Sequence, residues 1–255
     1  MELFQNIYNG ILKVFGDIKV FKWPLFIVYD PGSYKVKGRD AREILDIVQP
    51  GDILLRGYDN YLDGLFIPGK FSHAGLYVGE VTDTDLHKLS NDSNELFHTG
   101  KQMVVHAMAE GVFIQDVLDF ARTDRMVILR FPKTLKAIKK MDRDTDYHGI
   151  FTKQEQMVFD SLNNDEDINF IDIVPMIFDI ALSQVGKKYD FNFNFKNYND
   201  LSCTEFVHYC IKSLEGFHQI KPIEKKFLFY SKSLIVPDAF TTTNLEMIWE
   251  SRSVR

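Results

Sequence analysis

Apolar residues recur at every fourth position from Leu3 through Ile7 and Ile11 to Phe15, with Phe4 and Leu12 beside them. That spacing predicts a helix over 3–15 with one apolar face docked on its own domain. Trp23-Pro24 breaks the pattern, Asp30-Pro31-Gly32 reads as a turn, and a short helix over 41–48 ends at Pro50-Gly51. The periodicity then changes. Residues 52–56 (DILLR), 72–78 (SHAGLYV), 103–107 (MVVHA) and 126–131 (MVILRF) are short, apolar or β-branched runs bounded by Gly or polar loops, and they predict strands. The polar stretch 80–100 reads as a surface insertion between two of them. Helical patterns follow over 134–141, 154–162 and 174–185, the last with Pro175 in its first turn and Gly186 at its stop. A further helix runs from Cys203 to about Leu214, and 226–230 and 245–250 read as late strands. Strands first, helices second and strands last predict an α+β fold, with an antiparallel sheet packed on helices.

Composition narrows the chemistry. With 36 acidic and 30 basic side chains the net charge is −6, and no basic run supplies the footprint of a nucleic-acid-binding protein. No apolar stretch reaches the roughly 20 residues that cross a bilayer. The N-terminus lacks a basic n-region, and Lys13, Asp17 and Lys19 interrupt its apolar character, so a secretory leader is not expected and a cytoplasmic location is. The polar face of the 3–15 helix lacks the Lys/Arg density of a membrane-surface helix, which leaves only peripheral membrane contact open. Cys203 and Cys210 lie seven positions apart on one helix, roughly 10 Å along its axis, so free thiols are expected. Neither C-x-x-C nor H-E-x-x-H spacing occurs, and no metal or other cofactor is expected.

Three segments could carry chemistry. Phe71-Ser72-His73-Ala74-Gly75-Leu76-Tyr77-Val78-Gly79 opens a strand with a histidine beside small residues. Val104-Val105-His106-Ala107-Met108 places a second histidine on the next strand, where cross-strand pairing can bring the imidazoles to one face. Leu201-Ser202-Cys203-Thr204-Glu205-Phe206-Val207 puts a cysteine at the start of an apolar helix. The N–H groups and dipole of that first turn favour a thiolate and predict a lowered thiol pKa. His73 would take the proton, His106 would hold the far nitrogen of His73, and the Cys203 N–H would face a developing oxyanion. Spacing alone leaves the alternative of a buried cysteine with two satisfied core histidines.

Taken in order, Gln49-Pro50-Gly51-Asp52-Ile53-Leu54-Leu55, the His73 strand, the His106 strand, Gly186-Lys187-Lys188-Tyr189-Asp190 and the Cys203 helix resemble the circularly permuted NlpC/P60 family of papain-like cysteine hydrolases. In that family the histidine strand precedes the cysteine helix. The branch includes YiiX/YaeF-like bacterial proteins, poxvirus relatives and lecithin:retinol acyltransferase. The resemblance spans about Gln49 to Asp238 and implies a permuted papain-like catalytic domain over 49–255 behind an N-terminal helical extension, 1–48. It implies Cys203 as nucleophile, His73 as general base and His106 as third member. Many bacterial members carry Glu at that third place, whereas histidine there resembles the acyltransferase branch. Tyr189, Asp190, Ser72 and Ser202 are the residues expected to border the substrate. The implied activity is that of a thiol-dependent peptidase or amidase acting on a small peptide like those of cell-wall fragments. The alternatives are a lipid-directed acyl hydrolase or acyltransferase, and an inactive binding module on the same fold. Nothing in the sequence sets the oligomeric state.

Other features carry bland readings. Cys210 reads as an inert core thiol, and His87, His98, His148, His208 and His218 as solvated side chains. Gly64 to Lys70 mimics a phosphate-binding loop, but Phe71 replaces the required Ser or Thr and a strand follows in place of a helix. It reads as a loop leading into the His73 strand.

Overall fold

The computed structural model describes residues 18–21, 26–29, 34–59, 69–86, 98–141, 150–191, 198–220, 222–227 and 230–252. The helix expected over 3–15 lies outside them. Strands β1 (Ile18–Phe21) and β2 (Phe26–Tyr29) pair as an antiparallel hairpin that the sequence pattern did not signal. Helix α1 (Gly38–Ile47) follows, its start fixed by the Lys37 N–H donating to the Asp40 carboxylate at 3.1 Å. Next come β3 (Ile53–Gly57), β4 (His73–Val81), α2 (Asp83–Leu86), β5 (Gly100–Met108), β6 (Gly111–Asp116), α3 (Val117–Phe120), β7 (Arg125–Arg130) and β8 (Thr134–Leu135). The second half holds α4 (Lys153–Asn163), β9 (Ile168–Asn169), α5 (Phe170–Ser183), α6 (Cys203–Cys210), α7 (Glu215–His218), the hairpin β10 (Ile223–Phe227) and β11 (Tyr230–Leu234), and β12 (Glu246–Glu250).

Six strands form one antiparallel sheet in the order β12-β7-β3-β4-β5-β6, so the expected α+β class is what the chain adopts. Both faces are covered. Ile53, Leu55, Ala74, Leu76, Val105 and Ala107 pack against α5 and α6, in one cluster with Ile177, Phe206 and Val207. Leu54, Tyr77, Val104 and Ile128 turn to the opposite face, where Ile44 of α1 and Phe120 of α3 meet them. Burial on two sides explains why β3 is apolar at consecutive positions and does not alternate.

The turn into β3 is held by one carboxylate. Asp52 accepts from Arg130 Nε at 2.8 Å and Nη2 at 2.7 Å, and from the Gln49 N–H at 2.8 Å. Gly51 sits at φ +96°, and a Cβ there would fall 2.8 Å from the Phe170 ring. Asp238 does the same for the approach to β4, accepting from the Lys70 and Phe71 N–H groups at 2.9 and 3.0 Å. The last amide of the decoy Gly64–Lys70 pattern and the one after it are therefore spent on a side chain of this chain.

Several expectations need correction. Residues 134–141 are not a helix. Leu135 pairs with Ile168 and the Ile138 N–H donates to the Gly216 carbonyl, so tertiary pairing overrides a helical apolar spacing. Helix α5 begins at Phe170, which puts Pro175 inside it and not in its first turn. Pro175 has no N–H to donate to the Ile171 carbonyl, and Ile171 is exposed, so water can reach that group. The cysteine helix ends at Cys210, and the chain goes on through a 3₁₀ turn, Lys212–Leu214, into α7. Within the expected 80–100 insertion, β4 runs on to Val81 and α2 follows; 87–97 lie outside the described residues.

Candidate active site

The register of the sheet assembles the site. Arg56 of β3 stands directly opposite His73 of β4, Gly75 opposite His106 of β5, and Val104 opposite Gln115 of β6. Side chains two apart along a strand share a face, so Arg56, His73, His106 and Gln115 gather on one side. The missing side chain of Gly75 makes room for Phe120, since a Cβ there would lie 2.8 Å from that ring. The Phe120 ring centroid is 5.7 Å from that of His73 and 5.2 Å from that of His106. Arg56 covers the same ring with its Cζ 4.4 Å from the centroid, and its Nη1 donates to the Phe120 carbonyl at 2.9 Å.

His73 Nε2 lies 2.8 Å from His106 Nδ1, and His106 Nε2 lies 3.0 Å from Gln115 Oε1. The two imidazoles expected to meet across the strands are thus bonded to each other, His73 through its Nε2. Both pKa values are held well below the ordinary histidine range, first by burial and then by the Arg56 charge, with His106 adding to the effect on His73. Both imidazoles are neutral at pH 7.

Cys203 opens α6 behind a capping box. The Ser202 hydroxyl accepts from the Glu205 N–H at 3.4 Å, and the Ser202 N–H donates to the Glu205 carboxylate at 2.8 Å. The thiol, 3% exposed, takes hydrogen bonds from the backbone of Ala74, the residue after His73, and of Thr204. The expectation of a lowered thiol pKa is not met. Burial raises it to about 11, and Glu205 raises it further, against the lowering by those two backbone groups and by Arg56. A helix start favours an anion only where solvent or a countercharge offsets the desolvation. Among the described residues no hydrogen bond joins the thiol to either imidazole. Cys210 is also a free, buried thiol.

The Gly186–Asp190 segment helps to place the cysteine. Val112 of the edge strand β6 exchanges bonds with it, Gly186 N–H to Val112 O and Val112 N–H to Lys187 O, both at 2.8 Å. The Leu201 N–H then donates to the Lys188 carbonyl at 3.0 Å, two residues before Cys203. Within that segment Asp190 is buried and Tyr189 packs on the Phe191 ring at 4.8 Å. Ser202 is taken up by the cap, whereas the Ser72 hydroxyl is buried with no partner.

His208 and His218 are not solvated as expected. They are 1% and 2% exposed and stack edge to face at 5.6 Å, because α6 is enclosed on nearly every side. His98 is exposed, and His87 and His148 lie outside the described residues. Sequence reasoning missed Arg56, Gln115 and Phe120. A charged residue inside the apolar DILLR run was the one available signal, for Arg56. Among the described residues no group of three or more His, Cys, Asp or Glu could hold a metal ion, and no helix is long and apolar enough to cross a membrane.

Residues 47–161 match the family described as permuted papain-like amidase enzyme, YaeF/YiiX, C92 family. That segment holds both histidines, Arg56 and Gln115. The match ends before Cys203. Among solved structures, the crystal structure of metalloprotein yiiX from Escherichia coli O157:H7 is similar at 15% identity and a TM-score of 0.44, covering 80% of this chain and 97% of that one. No curated protein matches the chain.

Proposed function

We propose that the protein is a Cys-His-His amidase in which Cys203 is the nucleophile, His73 the general base and His106 the residue that orients it. One observation carries this reading. The cysteine at the start of α6 lies against the residue that follows His73, while Nε2 of His73 is already bonded to His106. For reaction, Sγ must reach Nδ1 of His73; such contacts are often open in resting enzymes and close on substrate. His73 then takes the thiol proton as sulfur attacks the amide carbon, with the Cys203 N–H facing the oxyanion. The imidazolium returns that proton to the leaving amine, a thioester remains on Cys203, and water cleaves it with His73 again as base.

The substrate we assign is a small peptide with a γ-glutamyl or isopeptide bond, of the kind found in cell-wall fragments. A cytoplasmic location fits recycling of such fragments. Ser72, Tyr189 and Asp190 border the substrate in this reading. The test uses γ-glutamyl dipeptides, following amine release together with the intact mass of the protein. Turnover with a transient acyl adduct on Cys203, lost in Cys203→Ala and in His73→Ala, is the expected result. Release that persists in Cys203→Ala overturns it. The histidine at position 106 keeps a lipid acyl substrate as the second reading; adduct formation from phosphatidylcholine vesicles, and none from the dipeptides, selects that one.

A further inference from the structure

We propose that Arg56 decides which substrates are accepted, its guanidinium binding a free carboxylate that the substrate carries near the scissile amide. This deepens the Cys203–His73 reading and rests on it for the bond that is cut. A guanidinium stays charged even when buried, so a buried one is ordinarily paired with an anion. Arg56 is buried on β3, an interior strand of the sheet, and among the described residues no carboxylate forms an ion pair with it. Its Nε has no hydrogen-bond partner among those residues. Its Nη1 donates to the Phe120 carbonyl at 2.9 Å, and its Nη2 donates to the Met108 thioether at 3.2 Å.

The unfilled edge has the shape of a carboxylate site. Nε and Nη2 project side by side from the planar fork, which is how a guanidinium takes both oxygens of one carboxylate. On Arg56 one of the two is bare and the other rests on sulfur, a weak acceptor. The plane of the fork is already set, by the bond from Nη1 and by the Phe120 ring 4.4 Å from Cζ. Its cover can move, because Met108 ends β5 at a partly exposed position and its unbranched side chain can swing aside. Register ties this edge to the reaction. Arg56 stands opposite His73, and its charge reaches His73, His106 and the Cys203 thiol. Both imidazoles are neutral, so one carboxylate cancels the charge of Arg56, whereas a doubly charged phosphate monoester overshoots it. Pairing weakens the repulsion of an imidazolium at His73 and the attraction of a thiolate at Cys203 together, so it acts on binding more than on proton transfer.

The test is calorimetric binding of γ-glutamylglycine to the Cys203→Ala protein, which cannot form the acyl adduct, beside the same dipeptide amidated at either carboxylate in turn. The expected result is a roughly hundredfold loss of affinity for one of the two carboxamides. Adding Arg56→Met erases that preference, and adding Arg56→Lys, which keeps the charge without the fork, retains part of it. With Cys203 intact, the preference reappears in kcat/KM and lies mainly in KM. Replacing an unpaired buried cation by Met leaves the urea midpoint at or above that of the parent; should Arg56→Met fail to fold, Arg56→Lys and the two carboxamides decide. Equal binding of the carboxylate and both carboxamides while Arg56 is present overturns the proposal, as does a preference that survives in Arg56→Met or is undiminished in Arg56→Lys. If the preference is found but the protein with Cys203 never cleaves the dipeptide, the Cys203–His73 reading fails and the carboxylate site stands.

Discussion

Acidification from neutral pH should unfold this protein through its histidines. His73, His106, His208 and His218 are all buried and neutral, with folded-state pKa values lowered first by burial, and that of His208 lowered from 6.5 to about 4. For a base whose folded pKa is depressed, the unfolded chain binds the proton first. Stability is therefore full above the unfolded value and is lost as pH falls from 6.5 toward the folded one. Each such group costs about 1.4 kcal/mol per pH unit in that window, so His208 alone removes about 3 kcal/mol. His73, His106 and His218 add to the loss in the same direction, against the roughly 5–15 kcal/mol that holds a domain folded. Asp52 opposes this only at lower pH, because its raised pKa makes the folded state the better proton binder there. Urea unfolding followed by far-UV circular dichroism at about pH 7.5, 6.5 and 5.5 measures the slope. A loss smaller than about 1.4 kcal/mol per unit below pH 6 would mean at most one histidine is buried neutral, and it would refute the reasoning.

Further expectations concern single side chains. Asp52→Ala strands the Arg130 guanidinium beside the turn into β3 and should cost about 3–5 kcal/mol in urea unfolding; a cost near zero would show that the turn holds without it. Gly75→Ala drives a methyl into Phe120 and Val104 at 2.8 Å and should lower stability by about 1–3 kcal/mol, read as a drop in Tm that a repacked Phe120 alone could erase. Arg56→Met removes a cation that lowers the Cys203 thiol, so iodoacetamide should alkylate Cys203 about tenfold more slowly for each unit the pKa rises. Alkylation that stays as fast counts against a role for the guanidinium at the thiol. Asp238→Ala frees the Lys70 and Phe71 N–H groups and should cost about 1–3 kcal/mol, checked by the same unfolding experiment.

The histidine strands and the cysteine helix were legible because each is an apolar run interrupted by one residue able to do chemistry. Burial of the sheet on both faces made β3 and β7 stand out as well. β6 was not legible. Gly-Val-Phe-Ile-Gln-Asp is short and lies one turn after β5, so Gln115 had no strand to be placed on, and its diagonal relation to His106 could not be seen. His208 looked like a surface residue of a helix with one apolar face, yet α6 is covered on almost all sides. The thiol pKa failed for a related reason. A sequence shows that a cysteine begins a helix; it does not show how much water is left around it.

Charge explains how a site with a high thiol pKa can still use a thiolate. Arg56 is 3% exposed; among the described residues its Nε has no hydrogen-bond partner and its other nitrogens donate to the Phe120 carbonyl and the Met108 sulfur. Among the described residues no carboxylate pairs with it. Burial is the larger cause that keeps both imidazoles neutral, and a buried cation of this kind adds to it by making a second positive charge costly. Moving the proton from Cys203 to His73 leaves the net charge unchanged, because the thiolate forms as the imidazolium does. The cost of the imidazolium beside Arg56 is then offset by the attraction of the new thiolate to the same guanidinium. Release of the proton to solvent would instead leave a thiolate facing one cation, and protonation of His73 from solvent would leave two cations facing none. Burial already opposes loss of the thiol proton to solvent, and the internal transfer avoids an uncompensated pair of cations, so the arrangement favours a thiol that ionises when a substrate brings Sγ to Nδ1. The resting protein then keeps its cysteine neutral, and alkylation of Cys203 should be slow at neutral pH and accelerate when a bound amide substrate analogue orders the contact with His73.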